Sequence, residues 1–155
     1  MKPAEHVEIR IAREFSVPGE RVFDAWLDPK TAGNWLFATP EGRMVGVEID
    51  PRVGGEFLFV DRRDGEDVEH TGLYLEIDRP RRLSFSLSVA RYAGDATRIV
   101  LDIVRLGRGC ELTLTHLGVP PENAERTESG WAAILDGLEE ALGSYDPDVE
   151  SGTKA

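Results

Sequence analysis

Hydrophobic and polar positions alternate with a period of two along most of this chain, and near its end the period lengthens to that of a helix. Over residues 7 to 17, Val7, Ile9, Ile11, Phe15 and Val17 share one parity with Arg13, which predicts a first strand. Pro18 sits where a first helical residue belongs, since its φ is already set and its missing N–H has no partner there. The next turns bring Val22, Phe23 and Trp26 together, and Asp28-Pro29 stops that helix. A second short helical stretch is expected to carry Trp35 before Pro40 and Gly42 end it.

From residue 43 to residue 117 the alternation predicts six consecutive strands. Val45, Val47 and Ile49 share a face, Pro51 and Gly54-Gly55 turn the chain, and Phe57 and Phe59 follow. Asp64-Gly65 is a strong hairpin signal. Leu73, Leu75 and Ile77 alternate with Gly72, Tyr74 and Glu76 before the turn at Arg79-Pro80. Leu83, Phe85, Leu87 and Val89 form the next strand, and Ile99, Leu101 and Ile103 the one after it. Gly107-Arg108-Gly109 then turns into Cys110, Leu112, Leu114 and His116. Short turns between successive strands predict an antiparallel meander.

Trp131, Ile134, Leu135, Leu138 and Leu142 fall at helical spacing on one stripe, with Glu122 and Glu125 near the positive end and Gly143 as the closing residue. Such a stripe must be buried, and the sheet offers the apolar surface to bury it. The expectation is an α+β fold whose curved sheet wraps this helix and leaves a hydrophobic cavity, with Gly130 allowing close approach. Residues 1–145 are expected to form a single domain and residues 146–155 a flexible tail.

Charge narrows the partners. The 155 residues are 41% hydrophobic and carry a formal charge of −11, which suits one domain with a real core and disfavours nucleic acid and anionic membranes. No stretch approaches a membrane span or a signal peptide, so a cytoplasmic location is expected. Cys110 is the single cysteine and cannot form an intrachain disulfide. His6, His70 and His116 lack metal-ligand spacing, no Gly-x-Ser-x-Gly elbow occurs, and the glycines at 107 and 109 lie between strands. Neither a metal nor a cofactor is predicted.

Two groups of candidates follow from these placements. Trp35, Phe37, Phe57, Phe59, Tyr74, Phe85, Leu87, Trp131 and Leu135 could line the cavity, although ordinary core packing explains them as well. Arg13 and His116 also point inward. Arg13 could hold a structural ion pair or a ligand carboxylate, and His116 is the only candidate acid or base, with a hydrogen-bonded core role as the alternative. Alternate turns of a meander lie at one end, so Arg52, Arg79, Arg81, Arg82 and Arg108 should form a basic rim, either solvated or able to dock an acidic partner.

Specific stretches carry a resemblance. Ser16-Val17-Pro18-Gly19-Glu20-Arg21-Val22-Phe23-Asp24-Ala25-Trp26 resembles the first-helix signature of the helix-grip SRPBCC/START-like superfamily, and within it the activator of heat shock protein 90 ATPase homologue family. Trp35, the stretch from Asp50-Pro51 to Gly54-Gly55-Glu56-Phe57, the stretch from Gly72-Leu73-Tyr74 to Arg81-Arg82-Leu83, and Gly130-Trp131 agree in order and spacing. Leu36-Phe37-Ala38 departs from the second Trp and Gly-Pro of many relatives, which changes the cavity mouth. The resemblance implies the order β-α-α-β6-α. With the apolar stripes and the lack of a catalytic constellation, the first expectation is a small hydrophobic or amphipathic ligand in the cavity, in a monomer or homodimer. The alternatives are a protein-interaction module contacting a chaperone ATPase and a cyclase- or hydrolase-type enzyme using the same cavity.

Overall fold

The computed structural model describes residues 7–37, 42–89 and 96–143; the expected break at Pro40 and the tail at 146–155 lie outside them. Strand β1 (Val7–Phe15) leads into α1 (Gly19–Leu27) and the short α2 (Pro29–Ala32). Six strands follow: β2 (Arg43–Ile49), β3 (Glu56–Arg63), β4 (Glu66–Asp78), β5 (Arg82–Val89), β6 (Thr97–Leu106) and β7 (Gly109–Val119). A single 3-10 turn, Pro121–Asn123, then starts the chain into α3 (Ala124–Gly143).

All neighbours are antiparallel, in the order β1-β7-β6-β5-β4-β3-β2. The six-strand meander is therefore complete, and β1 extends it beside β7. Asp64 and Gly65 both take positive φ, 52° and 80°, as a two-residue hairpin between right-twisted strands requires. Gly54 has φ 84°, and a Cβ on Gly55 would fall 2.2 Å from the Asp50 carbonyl oxygen, so the turn before β3 admits no side chain there.

Four local expectations are corrected. Pro18 caps α1 instead of starting it, with ψ at 153°. Trp35 is past the end of α2, in turns where its N–H and that of Leu36 both donate to the Ala32 carbonyl, at 3.1 and 2.8 Å. A register shift between Met44 and Gly46 makes Val45 the extra residue, so Val45 is exposed while Met44, Val47 and Ile49 pack on the core. A second shift, between Tyr74 and Glu76, brings Ile77 onto the inner face, whereas Leu73 and Leu75 face out and Tyr74 is buried. A period-two reading cannot see a bulge, because one inserted residue inverts parity beyond it.

Helix α3 buries Trp131, Leu135, Leu138 and Leu142, and Ile134 packs at their margin. Each such side chain contributes about 1.5–3 kcal/mol relative to exposure, so the stripe holds the helix to the sheet. The expected close approach is not at Gly130, where a Cβ would meet nothing within 4 Å. It occurs two turns further along α3 at Gly137, whose Cβ would stand 3.4 Å from that of Trp35. Among the described residues, no helix is long and apolar enough to cross a membrane.

Candidate functional site

The interior between α3 and the sheet is aromatic on one side. Phe57 and Phe59 point in from β3, Tyr74 from β4 and Phe85 from β5, because each holds the inward parity of its strand. Trp26 comes from α1, Trp131 from α3, and Leu36 and Phe37 from the turns after α2. The expected hollow is filled: a void of about 10 Å³ is left, lined by Trp26, Leu36, Phe37, Phe57, Phe59, Tyr74, Leu83 and Phe85. That is about the space of one water molecule, and the walls offer it few polar partners.

Phe37 sits at the meeting point of these rings. The Phe37 ring stacks on His70 at 4.6 Å, meets the edge of Phe59 at 5.2 Å, and lies 6.0 Å from Trp131 and 6.2 Å from Phe57. It does so from a backbone φ of 62°, the left-handed region, which costs a non-glycine residue roughly 1–2 kcal/mol. Trp35, by contrast, packs edge-on against Trp26 at 4.7 Å and over Gly137, outside the void lining. Leu87 and Leu135 belong to the same core without touching the void. The indole N–H groups of Trp26 and Trp35 are buried and find no hydrogen-bond acceptor among the described residues.

His116 is inward, as its parity requires, but both of its ring nitrogens are engaged. Trp131 Nε1 donates to His116 Nδ1 at 2.9 Å, and His116 Nε2 lies 2.7 Å from Thr97 Oγ1, which in turn donates to the Leu87 carbonyl at 3.3 Å. Because Nδ1 accepts, Nε2 carries the proton, and each donor in the chain has one acceptor. Burial lowers the His116 pKa to about 4, so the ring is neutral at pH 7. This is a link joining α3 to β7, β6 and β5.

A second polar group lies inside that sequence reasoning passed over. Asp61 follows Phe57 and Phe59 at the same parity on β3 and is fully buried, accepting from Arg63 Nε at 2.7 Å. His70, under the Phe37 ring, has its pKa lowered to about 4, first by burial and then by the Arg63 charge. A carboxylate on an inward parity was the signal that could have revealed both. Burial, with Asp50 nearby, pushes the Tyr74 phenol above its ordinary range, so it stays protonated.

The candidate arginines separate. Arg13 does not reach the void; it leans across to α3, bonding Asp136 at 2.7 Å and Glu139 at 3.4 Å. Arg52 holds Asp50, Arg79 forms a two-pronged pair with Asp24 of α1, Arg81 holds Asp78, and Arg82 lies between Glu76 and Asp102. Arg108 shares a surface groove with Arg81 and has no carboxylate partner among the described residues. Of the five rim positions, two therefore meet in one groove.

A seven-strand antiparallel sheet curved over a C-terminal helix defines the helix-grip class of α+β proteins. The chain belongs to the family of activator of Hsp90 ATPase homolog 1-like proteins, whose model matches residues 16–143. Among solved structures it is similar to protein CV1439 from Chromobacterium violaceum, 27% identical over 90% of this chain and 99% of that one, with a TM-score of 0.81. CalU16 from Micromonospora echinospora is 26% identical over 93% of this chain and 79% of that one, at 0.67. A Staphylococcus aureus protein of unknown function, SA2116, shares the fold at 0.80 with 16% identity, each chain covered to 99%. No curated protein matches the chain.

Proposed function

We propose that this protein binds a small hydrophobic molecule with a flat ring, which enters between the sheet and α3 by taking the place of the Phe37 side chain. The observation that carries the reading is the position of that ring: surrounded by His70, Phe57, Phe59 and Trp131, yet held at φ 62°. Releasing Phe37 from this backbone region offsets part of the packing lost when it moves out. The vacated space has faces for stacking and few competing hydrogen-bond groups, which favours an apolar aromatic guest over a polar one.

Melting temperature in the presence of indole and 2-naphthol tests this, for the natural protein and for Phe37→Ala. Binding to the folded state raises the midpoint by mass action, and the variant should bind more tightly because no ring has to leave. If neither protein responded to either compound, the reading would fall.

Family membership favours a second reading, an interaction with a chaperone ATPase of the Hsp90 type. Co-purification with an Hsp90-type chaperone checks it, and charge reversal at Arg79, Arg81 and Arg82 should abolish a genuine contact. A cyclase or hydrolase role has less behind it, because His116 has both nitrogens committed to Trp131 and Thr97.

A further inference from the structure

Three segments far apart in sequence meet at the end of the sheet where the even-numbered strands turn. They are the start of α1 (Pro18, Gly19, Glu20), the β4–β5 turn (Pro80, Arg81), and the end of β6 with its hairpin into β7 (Ile103, Arg105, Gly107, Arg108, Gly109). Between them lies a groove of about 400 Å³, within the size range of small-molecule sites. It is distinct from the aromatic interior, with which it shares no lining residue.

Its charge runs against that of the chain. With 29 acidic residues against 18 basic ones, carboxylates are abundant, and Arg13, Arg62, Arg63, Arg79, Arg81 and Arg82 each hold at least one. Arg105 and Arg108, in the same groove, hold none among the described residues. The Arg105 Nε donates only to the Gly107 carbonyl at 3.2 Å, leaving its terminal nitrogens to solvent. Glu20 is the single acidic side chain of the lining. Beside these cations lies an apolar floor of Pro18, Pro80 and the buried Ile103.

We propose that this groove is a binding site for a small organic phosphate monoester. The guanidiniums of Arg105 and Arg108, with Arg81 alongside, engage the dianionic head. The two prolines and Ile103 receive the apolar body. A planar guanidinium presents paired N–H donors that match phosphate oxygens, and a dianion gains from two such cations at once.

Phenyl phosphate, inorganic phosphate and phenol are titrated into the isotope-labelled protein at constant ionic strength, following backbone amide and Arg Nε–H resonances. The expected result is saturable shifts at Gly19, Gly107, Gly109 and Arg105, tighter for phenyl phosphate than for inorganic phosphate and absent at these positions for phenol. Arg105→Ala with Arg108→Ala should weaken phenyl phosphate at least about tenfold, as loss of charged hydrogen bonds requires. Glu20→Gln should strengthen it, and Arg52→Ala should leave it unchanged because Arg52 pairs with Asp50 in a separate turn. The proposal is overturned if phenyl phosphate shifts these resonances no more than an equal concentration of chloride, or if the Arg105→Ala, Arg108→Ala double variant keeps its affinity.

Discussion

The two halves of the sheet pack by different rules. Strands β5, β6 and β7 pair without a register shift and turn mainly aliphatic side chains inward: Leu83, Leu87, Ile99, Leu101, Leu112 and Leu114. Strands β2, β3 and β4 carry both meander bulges, and Phe57, Phe59 and Tyr74 face the interior there, next to the Phe37 ring. Branched aliphatic chains interdigitate to near-crystalline density, whereas large rings meet edge to face and leave gaps at their corners. Within the interior, the one void among the described residues lies in the aromatic half, against Phe37, Phe57, Phe59 and Tyr74.

Cavity-forming substitutions test that contrast most strongly. Leu114→Ala should cost about 2–5 kcal/mol in denaturant unfolding, with nothing nearby free to collapse into the space. Phe37→Ala should cost less than this, since its ring already borders a void; equal losses would erase the distinction. Phe37→Gly should be more stable than Phe37→Ala by about 1 kcal/mol, reversing the usual order, because only glycine is at ease at positive φ.

Acid sharpens the comparison differently, since each half holds one buried histidine near pKa 4. Both values lie below the ordinary 6.5, so between about pH 6.5 and 4 the unfolded chain binds protons that the folded chain refuses. Stability is thus full above that window and falls as pH drops through it, by up to about 1.4 kcal/mol per pH unit for each histidine. His116→Gln should remove one proton from the slope measured between pH 6.5 and 5; an unchanged slope would mean the ring is already charged in the fold.

The smallest expected effects lie outside both halves. Gly130→Ala, where the added methyl meets nothing, should stabilise by about 0.5–1 kcal/mol through helix propensity alone. Arg13→Ala should cost under about 1 kcal/mol, because Asp136 and Glu139 are exposed and solvent screens the pair.

The same division marks what could be read from the sequence. In the aliphatic half, strict alternation gave every strand, face and neighbour, and His116 fell where its parity put it. In the aromatic half the alternation misled at Val45 and Leu75, because a bulge changes phase without leaving a compositional trace. Phe57, Phe59, Phe85 and Leu87 were legible as inward-facing from strand parity; that the space is filled was not, since it depends on Phe37 turning inward from a non-repetitive segment. Likewise the meander topology brought the arginine turns to one end, but which guanidinium finds a carboxylate is decided by side-chain reach. Asp24, which takes Arg79, stands on a different element altogether.

The hydrogen-bonded file running from the Trp131 indole through His116 and Thr97 to the Leu87 carbonyl fixes more than a tautomer. It acts as a bolt through the aliphatic side of the molecule, setting the rotation of α3 about its own axis. Lifting that helix from β7 would strand the buried Trp131 indole N–H and His116 Nδ1 together, so this seam is a costly one to part, fastened like the hinged edge of a door.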